Sequence, residues 1–167
     1  MLFTDDRDAD WAGAARALPR GSLVVVRARE ARARAQVAES LKAIAPLLIA
    51  GDGALAARVG AAGIHLPQAR AREAMAWRVR RPDWIITAAA HSLRALMGLR
   101  EVDAVFLSPI FPTASHPGAR CLSPVRAGFI AAAATVPVYA LGGVTARNAM
   151  RLPVSFSGVA GIEGFFV

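Results

Sequence analysis

Eight short runs of apolar and β-branched residues recur along the chain, and nearly every one is followed by a stretch of helical composition. The runs lie near Leu2 to Thr4, Leu23 to Arg27, Leu47 to Ala50, Gly63 to Leu66, Ile85 to Ala89, Ala104 to Leu107, Val138 to Leu141 and Val159 to Ile162. Helical stretches span Asp10 to Leu18, Arg32 to Ile44, Leu55 to Val59, Arg70 to Arg80, Leu93 to Leu99, Pro124 to Ala134 and Ala146 to Arg151. Parallel strands need a crossover element to bring the chain back, so this alternation predicts an α/β fold with a parallel sheet. Eight units favour a closed barrel over an open doubly wound sheet, whose GxGxxG loop after the first strand is absent here.

At 167 residues the chain has room for one domain, 1–167, but is short for eight full units. The expectation is a single compact (β/α)8 TIM barrel with shortened helices and no full eighth helix. Phe165 and Phe166 would then cap the barrel bottom or join a second copy in a homodimer.

Hydrophobic residues make up 55% of the sequence and charged residues 19%, a balance that suits a packed core rather than a disordered chain. The formal net charge of +8 could serve nucleic acid, an anionic membrane surface or a phosphorylated metabolite. Its carriers are arginines scattered among alanines, with Lys42 the one lysine, and no nucleic-acid-binding signature accompanies them. The apolar runs are far too short for a membrane span. The expected partner is therefore a phosphorylated small molecule, with neither nucleic acid nor membrane. The lone Cys121 cannot form an internal disulfide and no signal-peptide pattern opens the chain, which predicts a cytoplasmic setting and an inert thiol.

Three segments carry chemistry. Asp103 to Gly118, DAVFLSPIFPTASHPG, is a buried strand emptying into a loop rich in Pro, Thr, Ser and His, suited to contact with a polar ligand. VPVYALGGVTARNAM places Gly142 and Gly143 at the carboxyl end of a strand, where their N–H groups can form a phosphate nest. GVAGIEGF repeats the theme one strand later with Gly161 and Gly164, and barrels commonly bind phosphate between the loops after strands seven and eight.

The order VVVRARE, IAGDGALAARVGAAGIHLPQ, TAAAHSL, DAVFLSPIFPTASH, VPVYALGGVTARNA and GVAGIEGF, opened by MLFTDDR, resembles the thiamine phosphate synthase and thiazole tautomerase family across nearly the whole chain. For the synthase the resemblance implies coupling of hydroxymethylpyrimidine diphosphate to a thiazole phosphate, with magnesium on the diphosphate. Arg27, Thr113 and Ser115 match substrate-binding residues, and Arg29 and His116 stand where the family has lysines. Asp52 matches one metal ligand, but Gly51 replaces the asparagine beside it, and Arg70 falls near the position of the second carboxylate. Val25 stands for a family glutamine and Glu163 for the serine that meets the thiazole phosphate. Magnesium is thus an open expectation resting on Asp52.

For the tautomerase the resemblance places a proton-shuttling histidine at His91, in AAAHS. The departures thin out the diphosphate half and leave the glycine-rich phosphate half, so the expectation leans to tautomerase-like proton transfer by His91 on a thiazole phosphate. Synthase coupling is the alternative, and a non-catalytic phosphometabolite-binding barrel is another. His65, inside an apolar strand, reads as structural, and Arg70 to Arg81 as a solvated helix face.

Overall fold

The computed structural model describes residues 1–113, 118 and 120–162. Its strands are β1 (Leu2–Phe3), β2 (Val24–Val26), β3 (Leu47–Ala50), β4 (Gly63–Leu66), β5 (Ile85–Ala90), β6 (Ala104–Leu107), β7 (Val138–Ala140) and β8 (Gly158–Val159). They pair in sequence order, every neighbour parallel. The ring closes through a parallel bridge between Leu2 and Gly161. The Phe3 N–H donates to the Gly161 carbonyl at 2.9 Å, and the Gly161 N–H to the Met1 carbonyl at 3.2 Å. This is the (β/α)8 barrel the alternation predicts, with no unpaired sheet edge among the described residues.

Strand positions match the sequence reading closely, apart from the last. The run Val159 to Ile162 was expected to be one strand, but pairing with β7 ends at Val159 and Gly161 turns to β1 instead.

Among the described residues seven helices return the chain: α1 (Trp11–Arg16), α2 (Ala31–Leu41), α3 (Gly53–Val59), α4 (Ala74–Arg80), α5 (Leu93–Met97), α6 (Pro124–Ala132) and α7 (Ala146–Ala149). Most are one or two turns long, which is how eight units fit in the chain. Side-chain caps help such short helices form. Asp10, Asp52 and Ser92 each accept a backbone N–H three residues on, and Thr145 and Asn148 make a reciprocal capping box. The expected eighth-helix position, with Phe165 and Phe166, lies outside the described residues.

One expected helix is divided. Arg70 to Arg80 reads as continuous, but residues Gln68–Glu73 form a 3-10 segment ahead of α4. Gln68 and Arg70 are tied to neighbouring strand ends, which pulls this stretch over the barrel mouth. The reading of Arg70 to Arg81 as a solvated face holds for Arg72 and Arg80, which are exposed, and is corrected for Arg78 and Arg81. Arg78 bonds both Asp103 oxygens at 2.7 Å and the Trp84 carbonyl at 3.0 Å, and the Arg81 guanidinium lies 4.2 Å from the Trp84 ring centre. These arginines fasten α4 to β5 and β6.

Alternation along the strands divides the core in two. Leu2, Val24, Val26, Ile49, Ile64, Ile86, Val105 and Leu107 belong to the larger apolar layer under the helices, while Phe3, Val25, Leu48, Phe106 and Ala160 form a second cluster that fills the barrel. Among the described residues no helix is long and apolar enough to cross a membrane.

Candidate active site at the barrel mouth

Loops following the carboxyl ends of the strands bring most of the anticipated residues to one face. His91 closes β5. Its backbone N–H donates to Gln68 Oε1 at 2.8 Å, and its Nδ1 lies 2.8 Å from the Ser108 carbonyl and 3.2 Å from Ser108 Oγ. A carbonyl only accepts, so Nδ1 carries the hydrogen and Nε2 is the basic nitrogen of the neutral ring. The ring is exposed while Ser108 is buried. Sequence reasoning missed Ser108 and gave Gln68 no role. The signal for Ser108 was its place at the end of the apolar run AVFL, ahead of the loop.

The β7 loop lies against the β6 loop. Gly142 and Gly143 have φ of 88° and 65°, the left-handed region that favours glycine. A side chain at Gly142 would also come within 2.8 Å of Pro109, and one at Gly143 within 2.2 Å of the Pro112 carbonyl. The Gly142 carbonyl accepts from Phe111 N–H at 3.0 Å and the Gly143 carbonyl from Asn148 Nδ2 at 2.8 Å. Among the described residues nothing accepts from their own N–H groups, which leaves a pair of adjacent donors suited to an anion. Gly161 differs: both its backbone groups serve barrel closure, so its N–H is not open to a ligand. Thr113 is half-buried in the β6 loop. Ser115, His116, Glu163 and Gly164 lie outside the described residues.

Around β1 to β4 the mouth is a field of paired charges. Arg7 bonds Asp5, with its Nε at 2.8 Å, and Arg29 lies 3.7 Å from Asp6 with a largely exposed side chain. Asp52 Oδ1 accepts the Leu55 N–H at 2.9 Å, capping α3, and Oδ2 faces Arg34 Nη2 at 3.2 Å. Burial works to raise the Asp52 carboxyl, but the Leu55 N–H and the Arg34 guanidinium outweigh it and hold the group below its ordinary value. Glu73 receives Arg70 Nε at 2.6 Å and Nη2 at 2.7 Å, while Arg70 Nη1 donates to the Gly51 carbonyl at 2.6 Å. Arg27 follows β2, its N–H held by Thr4 Oγ1 at 3.1 Å.

Beneath lies His65. It is buried, bonded through Nδ1 to Thr87 Oγ1 at 3.0 Å, and packed edge-on against Phe3 and Phe106 with ring centres 5.3 Å away. Burial, with repulsion from Arg27, pushes its pKa down to about 3. The structural role expected from the sequence holds: it is a neutral interior ring.

The family model described as thiamine monophosphate synthase matches residues 1–165. The chain belongs to that family. A relative in Aquifex aeolicus, described as a candidate thiamine-phosphate synthase 2, is 34% identical over 117 residues, covering 66% of this chain and 61% of that protein. The thiamine-phosphate synthase of Nitrosococcus oceani is 30% identical over 149 residues, covering 84% and 69%. Thus the chain spans less than two thirds of the Aquifex relative's length. A solved thiamine phosphate pyrophosphorylase from Pyrococcus furiosus superposes with a TM-score of 0.75 over 97% of this chain and 84% of its own, at 21% identity, which supports the fold.

Membership of the thiamine monophosphate synthase family implies magnesium, and the residues present at the barrel mouth fit it poorly. Magnesium is usually held through one or two carboxylates together with phosphate oxygens. Asp52 is already capping a helix and paired with Arg34, and both Glu73 oxygens are taken by Arg70. Among the described residues no three metal-ligating side chains cluster. The expectation that Asp52 is a metal ligand gives way to its geometry as a cap and ion-pair partner.

Proposed function

We propose that this chain catalyses the thiamine-phosphate synthase reaction, coupling hydroxymethylpyrimidine diphosphate to a thiazole phosphate. The observation that carries this reading is the family match along nearly the whole chain, joined by relatives named for that reaction. It reverses the lean toward tautomerisation drawn from individual residues. In the reaction the bond between the pyrimidine methylene and the diphosphate oxygen breaks with its electron pair going to diphosphate. The thiazole nitrogen supplies the pair for the new C–N bond, and no proton need move.

The Gly142 and Gly143 N–H groups suit the thiazole phosphate. Arg27, with Thr113 of the β6 loop, would face the diphosphate, where positive charge stabilises the leaving group. Incubation with both substrates, followed by chromatographic detection of thiamine phosphate, tests the reading. Product is expected, and its absence with and without added magnesium would overturn it.

A second reading, thiazole tautomerisation, is favoured by one observation: Ser108 fixes the His91 tautomer and leaves Nε2 basic. One acid–base group is all that moving a proton requires. Proton NMR of the thiazole phosphate carboxylate tautomer would show isomerisation with the wild type, slowed roughly 100-fold or more in His91→Ala. Equal rates in both proteins would dismiss it.

A further inference from the structure

Four carboxylates on the β1 to β4 side of the mouth face an arginine: Asp5 with Arg7, Asp6 with Arg29, Asp52 with Arg34, Glu73 with Arg70. Arg70 is the unusual member. From the 3-10 segment after β4 it reaches back to the Gly51 carbonyl at the end of β3, at 2.6 Å, so its guanidinium spans two strand ends. Glu73 grips it from the far side through both oxygens, which fixes the orientation of the planar fork.

Three of the five N–H donors of a guanidinium are used in this way, and two remain on Nη1 and Nη2. With its side chain 44% exposed, the group is open to a ligand. Arg34 and Arg58 also act on Asp52, so a divalent cation brought to that carboxylate would meet fixed positive charge. The same field attracts an anion.

We infer that Arg70 is a resident cation, binding a diphosphate group at the ends of β3 and β4 without a divalent metal. This rests on the preceding reading only in taking a diphosphate as the ligand. It adds a specificity residue and predicts independence from magnesium.

The test is calorimetric titration of the full chain with inorganic pyrophosphate, in EDTA and in excess magnesium. Binding is expected in EDTA and should be no tighter in excess magnesium, where the metal competes for the pyrophosphate, and Arg70→Met should weaken it about tenfold, as loss of one charge-assisted contact would. Glu73→Gln, which releases the guanidinium and keeps the side-chain volume, should bind at least as tightly as wild type. Circular dichroism confirms that each variant is folded.

Binding that appears only with magnesium, or no binding in either condition, would overturn the inference, as would an unchanged affinity in folded Arg70→Met. The two readings separate cleanly. Product formed only with magnesium, alongside magnesium-dependent pyrophosphate binding, sinks the metal-free site and keeps the synthase. Metal-free pyrophosphate binding without product keeps the site and sinks the synthase.

Discussion

At the residue scale, His65 shows how one buried side chain couples pH to stability. The folded protein holds it neutral, with a pKa of about 3, whereas an unfolded histidine titrates near 6.5. Below that value the unfolded chain binds a proton that the native state refuses, so stability is full above about pH 6.5 and lost as pH falls toward 3. The slope approaches 1.4 kcal/mol per pH unit. Urea unfolding at pH 7.5 and pH 5.5, above the usual carboxylate range, should show the wild type losing about 1.4 kcal/mol. A His65→Gln variant should lose much less over that interval, and equal slopes would refute the assignment. Ser108 offers a companion case, since its carbonyl rather than its replaceable hydroxyl makes the shorter contact to His91 Nδ1. Ser108→Ala should therefore leave the rate of any His91-dependent turnover within about threefold of wild type, as a tautomer fixed by the backbone would.

At the scale of elements, the short helices depend on their caps. Asp52 begins α3 and also receives Arg34, so its two jobs can be separated by substitution. Asparagine caps a helix about as well as aspartate. Asp52→Asn should cost only the ion-pair part, well under 1 kcal/mol for a partly exposed pair. Asp52→Ala removes the cap as well, and should cost about 1 kcal/mol more. Thermal and urea unfolding of both variants would check this ordering, and equal losses would show that the cap contributes nothing. The 3-10 segment before α4 illustrates the opposite influence, where long-range tethers through Gln68 and Arg70 override helical composition.

For the whole molecule, stability depends on a filled and closed barrel. Phe106 is fully buried at its centre, with ring centres of Phe3 and Tyr139 at 4.8 and 5.7 Å. Truncation to alanine leaves a cavity that neighbours on rigid strands cannot fill, so Phe106→Ala should lose about 3–5 kcal/mol in chemical denaturation. A loss below about 1 kcal/mol would mean the interior can collapse around the gap. Closure makes a second prediction. The Phe3 amide bonds Gly161 across the seam and should exchange with solvent as slowly as amides of β5, the longest strand. Fast exchange at Phe3 alone would show a seam that opens independently of the barrel.

Much of this architecture was written locally. Apolar runs separated by helical segments fixed the number, order and parallel sense of the strands, because strand and helix periodicities are properties of a few consecutive residues. Strand-end positions for Arg27, Asp52, His91, Gly142 and Gly143 followed directly, as did a buried role for His65. What each of these residues does with its neighbours was decided only in three dimensions. Asp52 meets Arg34 across 18 positions, Arg70 meets Gly51 across 19, and His91 meets Ser108 across 17. Gly161 reads as a ligand-facing loop glycine until Met1 and Phe3, at the other end of the chain, take both its backbone groups. Such pairings arise when the sheet curls and brings strand ends together, so they depend on tertiary register and leave no period or spacing in the chain.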